Sequence, residues 1–174
     1  MNGMHGIIFS YESRNDLKEL VDFRSAASVP FGGRYRMVDF ALSNLVNAGV
    51  TDVGVVLHGR YQSMIDHLGN GKVWDLSRKR GGLRLLPPFG LGGNKGVYSG
   101  LLEALLAAEE DLRRMKENNV VIMPGNLAIN LDLKAVYKAH VASGAGVTVV
   151  CAEGLDEGEY HKYTTDEQGF VTDT

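Results

Sequence analysis

Hydrophobic and polar positions along this chain alternate between two periods. Residues 4–9, Met-His-Gly-Ile-Ile-Phe, form a short continuous apolar run, the mark of a strand buried on both faces. Residues 10–28 are polar and irregular, a loop leaving the carboxyl end of that strand. Val38, Ala41, Leu42, Leu45 and Val46 then recur at helical spacing, and Gly49 stands where such a helix stops. A second strand follows at 53–57 and a short helix at 61–68, closed by Gly69-Asn70-Gly71. Residues 74–82 read as an ordered loop anchored by Trp74. Leu83, Leu85 and Leu86 read as a third strand stopped by Pro87-Pro88, and 89–96 as a glycine-rich mobile loop. One long helix is predicted over 97–116, with Leu101, Leu102, Leu105, Leu106 and Leu112 facing the core. A fourth strand lies at 120–123. A helix then carries Leu133, Val136, Tyr137, His140 and Val141 on one face, with Gly144 as its stop, and a fifth strand covers 147–151. Asp166-Glu167-Gln168-Gly169 is a hairpin turn between two edge strands. Strands alternating with helices in this order predict an α/β fold, a parallel sheet covered on both faces.

The 174 residues suffice for one domain with a real core, and 44% hydrophobic with 22% charged is ordinary for a globular protein. A net charge of -3 argues against a general nucleic-acid binder, and Arg78-Lys79-Arg80 reads as a solvated loop. The single cysteine, Cys151, excludes an internal disulfide; it reads as a small buried residue in a cytoplasmic protein. No apolar run approaches the roughly 20 residues that span a bilayer, and no secretory segment is visible. His5, His58, His67, His140 and His161 lack metal-ligand spacing, so all five read as structural or surface residues and no metal site is expected.

The most informative stretch is Phe31-Gly32-Gly33-Arg34. Paired glycines let backbone N–H groups approach a ligand, and a helix start just beyond favours anions. A simple tight turn fits the same residues equally well.

The run from Val29 to Asn44 (VPFGGRYRMVDFALSN), followed by Asn47-Ala48-Gly49, closely resembles the P-F-G-G-x-Y-R-x-I-D-F-x-L-S-N…N-x-G signature of ADP-glucose pyrophosphorylases, the glucose-1-phosphate adenylyltransferases. Trp74-Asp75-Leu76 with Leu83-Arg84-Leu85-Leu86-Pro87-Pro88, and Val120-Val121-Ile122-Met123-Pro124-Gly125, resemble further stretches of bacterial members. The resemblance covers essentially the whole chain. It implies a Rossmann-like, three-layer α/β/α sandwich of the nucleotide-diphospho-sugar transferase type with a mostly parallel sheet. Residues 1–174 would be one incomplete domain, without the family's C-terminal left-handed β-helix. The implied reaction joins ATP to glucose 1-phosphate, giving ADP-glucose and pyrophosphate for glycogen synthesis. It needs a phosphate-cradling loop, cations on the triphosphate and a carboxylate on Mg²⁺.

This sequence departs from the family at those positions. The family's A-G-G-x-G-x-R-L stands here as Ser10-Tyr11-Glu12-Ser13-Arg14-Asn15-Asp16-Leu17, so the phosphate-loop glycines are lost to side chains that include Tyr11 and Glu12, and the triphosphate-binding arginine is Asp16. R-A-K-P is Arg24-Ser25-Ala26-Ala27, which keeps the arginine and loses the lysine at Ala26. G-T-A-D-A is Gly92-Gly93-Asn94-Lys95-Gly96, with Lys95 in place of an acid. G-D-H is Gly125-Asn126-Leu127, and a neutral amide at Asn126 is a poor Mg²⁺ ligand beside a phosphate. F-G-V is Tyr160-His161-Lys162. The resemblance therefore points to the GlgD-type regulatory subunits of the family, with no catalytic residues and no cofactor of its own; an active adenylyltransferase with unusual residues, or a sugar-phosphate or nucleotide sensor without catalysis, stand as the alternatives. Mg²⁺ and ATP are expected on a catalytic GlgC-type partner in a hetero-oligomer, a heterotetramer. A phosphorylated sugar is the expected effector, held by some of Arg14, Arg24, Gly32, Gly33, Arg34, Arg36 and Lys95.

Overall fold

The computed structural model describes residues 3–10, 15–88, 98, 100–152 and 162–173. Tyr11, Glu12, Arg14, Lys95, Tyr160 and His161 lie outside the described residues, as does the side chain of Asp16. The chain divides into two compact units, Met1–Ala135 and Val136–Thr174.

In the first unit four strands pair in parallel: β1 (Met4–Phe9), β4 (Asp52–Val56), β5 (Gly82–Leu86) and β6 (Asn119–Pro124), in the order β5-β4-β1-β6. A separate two-stranded hairpin, β2 (Pro30–Phe31) and β3 (Tyr35–Arg36), precedes helix α1 (Met37–Asn47). Helix α2 (Gln62–Leu68) lies between β4 and β5; α3 (Leu101–Ala107) and α4 (Glu109–Arg114) lie between β5 and β6. The chain moves outward from β1 to β5, then crosses back to the other side of β1, so the sheet is doubly wound as expected.

Alternation along β1 sorts the two faces. A Cβ on Gly6, paired with Val53, would meet Leu45 of α1 at 2.9 Å. Ile7, paired with Gly54, faces the other way, into a cluster of Ile7, Phe9, Val56, Tyr98, Ala104 and Ala108 flanked by Leu86, Leu105, Leu112 and Val120. One layer of helices is thus α1, the other α3 and α4.

The α3–α4 face corrects two expectations. The predicted single helix over 97–116 breaks at Ala108, whose backbone (φ -87°, ψ 0°) leaves the helical well. Its buried side chains are Ala104, Ala108 and Asp111, while Leu101, Leu102 and Leu106 are exposed, Leu102 at 75%. Small residues at helical spacing let the axis approach the sheet; the large leucines beside them are turned outward, and only Leu105 and Leu112 reach the core edge. Gly54 makes the same accommodation from below. A Cβ there would stand 2.8 Å from Asp111 Oδ2 and 3.0 Å from both Ile7 Cδ1 and Leu86 Cδ1. Gly54→Ala is expected to cost about 1–3 kcal/mol by overpacking, read as a lowered denaturation midpoint. An unchanged midpoint would contradict this seating of α4.

The second unit holds most of α5 (Leu133–Ser143) and a hairpin of β7 (Thr164–Thr165) and β8 (Val171–Asp173). The hairpin turn at 166–169 is as expected, with the Asp166 carboxylate accepting from the amides of Gln168 and Phe170 at 2.9 and 2.8 Å. The predicted fifth strand at 147–151 is absent: Val147 to Cys151 run without a ladder partner among the described residues, and Val147 is 80% exposed. Cys151 is consequently exposed rather than buried, since the strand that would have carried it into the sheet does not form. Val141 is also exposed, and His140 shares a 2.8 Å hydrogen bond between Nδ1 and the Thr148 hydroxyl.

Candidate functional site

In an open parallel sheet the ligand end is where the strands terminate at their carboxyl ends. Here that end is built from Ser10 after β1, His58 after β4, Tyr98, and Gly125 and Asn126 after β6. The strands are locked together at this level. Ser10 donates both its amide and its hydroxyl to Val56 O, at 3.1 and 2.8 Å, and Gly125 N donates to Phe9 O at 2.7 Å. Ser10 is therefore spent on the backbone. A 3₁₀ turn, Ala26–Ser28, is fully buried against this end. A Cβ on Gly125 would meet Ala27 Cβ and Phe9 O at 3.0 Å each, so only glycine lets the turn settle there.

The turn decides the meaning of Ala26. Ala26, where the resemblance led one to expect a lysine, is a core residue, 3% exposed. Asn126, at the exit of β6, is half-buried and uncharged. His58 accepts at Nδ1 from the amide of Tyr98 at 3.3 Å, and burial pushes its pKa below the ordinary value. Tyr98 is almost wholly buried; burial, aided by Glu103, raises its phenol, so it stays protonated. Sequence reading did not single out Tyr98. Its signal was slight, a lone aromatic closing a glycine-rich run. Ser10, Ala26, His58, Tyr98 and Asn126 include no carboxylate, and these residues do not fit a Mg²⁺–triphosphate.

The Gly-Gly stretch turns out to be a hairpin loop. Gly32 and Gly33 have φ of 58° and 91°, and Phe31 pairs with Tyr35 across them. Arg34 is exposed and stacks on the Tyr35 ring at 5.1 Å. Arg24 is half-buried just ahead of the 3₁₀ turn. Arg36, a candidate ligand-binding residue, has its Nη1 held by the carbonyl and hydroxyl of Ser63, tying the start of α1 to α2. The helix N-terminus carries an anion of its own, because Asp39 Oδ2 accepts from Arg36 N at 3.0 Å. The other oxygen of Asp39 is 2.7 Å from His67 Nε2. Further along α1, buried Asn44 donates to Phe40 O and Ile129 O, at 2.8 and 2.7 Å, and accepts from Leu131 N at 2.8 Å. It clamps the segment after β6 onto the helix. The signature residues Arg36, Asp39 and Asn44 thus hold the framework of the site together.

A model of the nucleotidyl transferase family matches residues 17–173. The chain belongs to that family. It is 37% identical over 158 residues to "Glycogen biosynthesis protein GlgD" of Geobacillus stearothermophilus, covering 88% of this chain and 45% of that protein. The GlgD protein of Bacillus subtilis (strain 168) is 35% identical over 94% of this chain and 48% of its own length. A glucose-1-phosphate adenylyltransferase of Pseudothermotoga lettingae is 39% identical over 72% of this chain and 30% of its own length. The chain thus spans at most about half the length of these relatives. Among solved structures, a putative glucose-1-phosphate thymidylyltransferase from Bacillus anthracis, crystallised with sucrose, superposes with a TM-score of 0.60 at 19% identity, over 80% of this chain and 50% of that one. This likeness agrees with the Rossmann-like α/β fold expected of the nucleotidyl transferase family. No helix among the described residues is long and apolar enough to cross a membrane.

Proposed function

We propose that this chain is the nucleotidyl-transferase part of a non-catalytic regulatory subunit in glycogen biosynthesis, acting on a GlgC-type glucose-1-phosphate adenylyltransferase. The observation that carries the reading is the pairing of a core alanine at position 26 with a neutral amide at Asn126. Both losses fall at the carboxyl end of the sheet, while the hairpin, α1 and the clamp of Asn44 keep the framework intact. The similarity to GlgD proteins supports the same reading. The catalytic partner supplies the Mg²⁺ and ATP chemistry, in a cytoplasmic hetero-oligomer, a heterotetramer. Arg24 and Arg34 keep positive charge near the hairpin, which supports a phosphorylated sugar as effector.

Co-expression of the full-length protein with the adenylyltransferase of the same organism tests this. A stable complex is expected, with the partner's kcat or effector response changed at least about twofold, a difference of roughly 0.4 kcal/mol. Failure to co-purify, with the partner's kinetics unchanged, would count against the proposal.

A further inference from the structure

At the opposite, amino end of the sheet a second polar cluster is buried. His5 lies on β1 and is completely inaccessible. Asp52 opens β4, Arg84 lies on β5, Asp111 on α4, and Glu117 in the turn leading into β6. His5 Nε2 is 3.0 Å from Asp111 Oδ2. Arg84 pairs with Asp111 through Nε and with Asp52 through Nη1, the latter at 2.6 Å. Charge does not balance: three carboxylates face one guanidinium.

His5 Nδ1 is the atom left over. It is buried and has no hydrogen-bond partner, and the nearest carboxylate oxygen, Asp52 Oδ1, stands off at 3.8 Å. That is too far for a hydrogen bond. With Nε2–H donated to Asp111, the imidazole presents its lone pair at Nδ1 toward Asp52 and Glu117. A carboxylate behind the histidine, fixing its tautomer, is the arrangement that supports metal-ligating histidines. Donor atoms of His5, Asp52 and Glu117 all lie within 4.8 Å of one another.

We infer that His5, Asp52 and Glu117 form a divalent-cation site for zinc or manganese, with Asp111 orienting the imidazole. One nitrogen and two carboxylate oxygens suit these ions, whereas Mg²⁺ prefers an all-oxygen octahedron. A dication cancels the two excess negative charges. Ligand bonds of about 2.0–2.2 Å require the donors to close on the ion. Glu117 provides that movement: it is partly exposed on a turn, and the amide of Lys116 donates to its Oε2 at 3.0 Å. The site lies across the sheet from the strand ends where nucleotide chemistry would take place, so its role is to brace β1, β4 and the α4–β6 turn. It stands independently of the proposed regulatory function.

The test uses the full-length protein, stripped with a chelator and titrated separately with Zn²⁺, Mn²⁺ and Mg²⁺, reading bound metal per chain after dialysis and the thermal midpoint. One Zn²⁺ or Mn²⁺ per chain is expected, with a raised midpoint and no rise with Mg²⁺. Glu117→Gln is expected to weaken binding about 10–100-fold, the scale on which losing even a supporting partner acts. As a turn substitution it leaves the metal-free midpoint in place. Asp52→Asn is expected to weaken binding similarly, and Co²⁺ in place of Zn²⁺ should show a visible spectrum that Glu117→Gln alters. No retained Zn²⁺ or Mn²⁺, or equal retention by Glu117→Gln, overturns the proposal.

Discussion

Asp111→Asn is expected to destabilise the protein by about 1.5–3 kcal/mol, the range for losing hydrogen bonds to a charged group. The substitution keeps the shape of the side chain and deletes its charge. Asp111 is only 6% exposed, and it receives both Arg84 Nε and the His5 ring. Without the carboxylate, Arg84 keeps its ion pair with Asp52, but its Nε and the His5 ring both lose a charged acceptor beneath α4. The same cluster sets an acid limit on stability. Burial alone would raise the Asp111 carboxyl, but hydrogen bonds from His5 and Arg84 and the charge of Arg84 hold it below the ordinary carboxylate value. A group whose folded pKa is depressed contributes stability above its unfolded pKa, about 3.9, and loses it as pH falls through the folded value. Wild type should therefore lose an increment of stability below roughly pH 4 that Asp111→Asn does not lose. Denaturant unfolding of both forms between neutral and acid pH measures the difference. A loss under about 1 kcal/mol at neutral pH would mean that the pair behaves as an exposed one.

The second large effect concerns turnover. Given ATP, glucose 1-phosphate and Mg²⁺ but no partner, the full-length protein is expected to form ADP-glucose at least about 10⁴-fold more slowly than an adenylyltransferase relative. Each lost contact to developing charge costs on the order of 10²–10³ in rate, and two are missing among the described residues, at Ala26 and Asn126. Asn126→Asp alone should restore little. Position 26 would still be a core alanine, and a lysine there cannot enter the buried 3₁₀ turn without disturbing the seating of Ala27 on Gly125. Pyrophosphate release with the catalytic partner absent is the measurement. Turnover within about tenfold of the relative would sink the non-catalytic reading.

Most of the framework could be read in advance because its signals are local. The apolar run at Met4–Phe9, the helical stripe from Val38 to Val46 and the glycine stops at 49 and 69 each depend on neighbours a few residues away, and all appear where expected. The long helix was misjudged for the opposite reason. Leucines at 101, 102 and 106 carry the strongest apolar signal, but a helix is oriented by what it can approach: Ala104 and Ala108 pack in the cluster of Ile7, Phe9 and Val56, and Asp111 fits against Gly54. The valines at 147–150 have strand propensity without a ladder partner among the described residues.

The candidate site divides in the same way. An alanine at 26 where the resemblance expects a lysine, and an asparagine at 126 where it expects an aspartate, were visible in the sequence. That Ala26 is sealed in the core, and that Arg36 ties the start of α1 to Ser63, was not. The sequence by itself determined the order of the four parallel strands and of α1 and α2 between them, the family resemblance and the residue types at positions 26 and 126, because these follow from residue identity and short-range spacing. Only the tertiary structure decided which polar residues meet. His5, Asp52, Arg84, Asp111 and Glu117 are spread over more than a hundred positions, and no local period connects them. They converge because parallel pairing aligns the amino ends of β1 and β4 and brings α4 down over them, where burial makes every unpaired charge and lone pair costly.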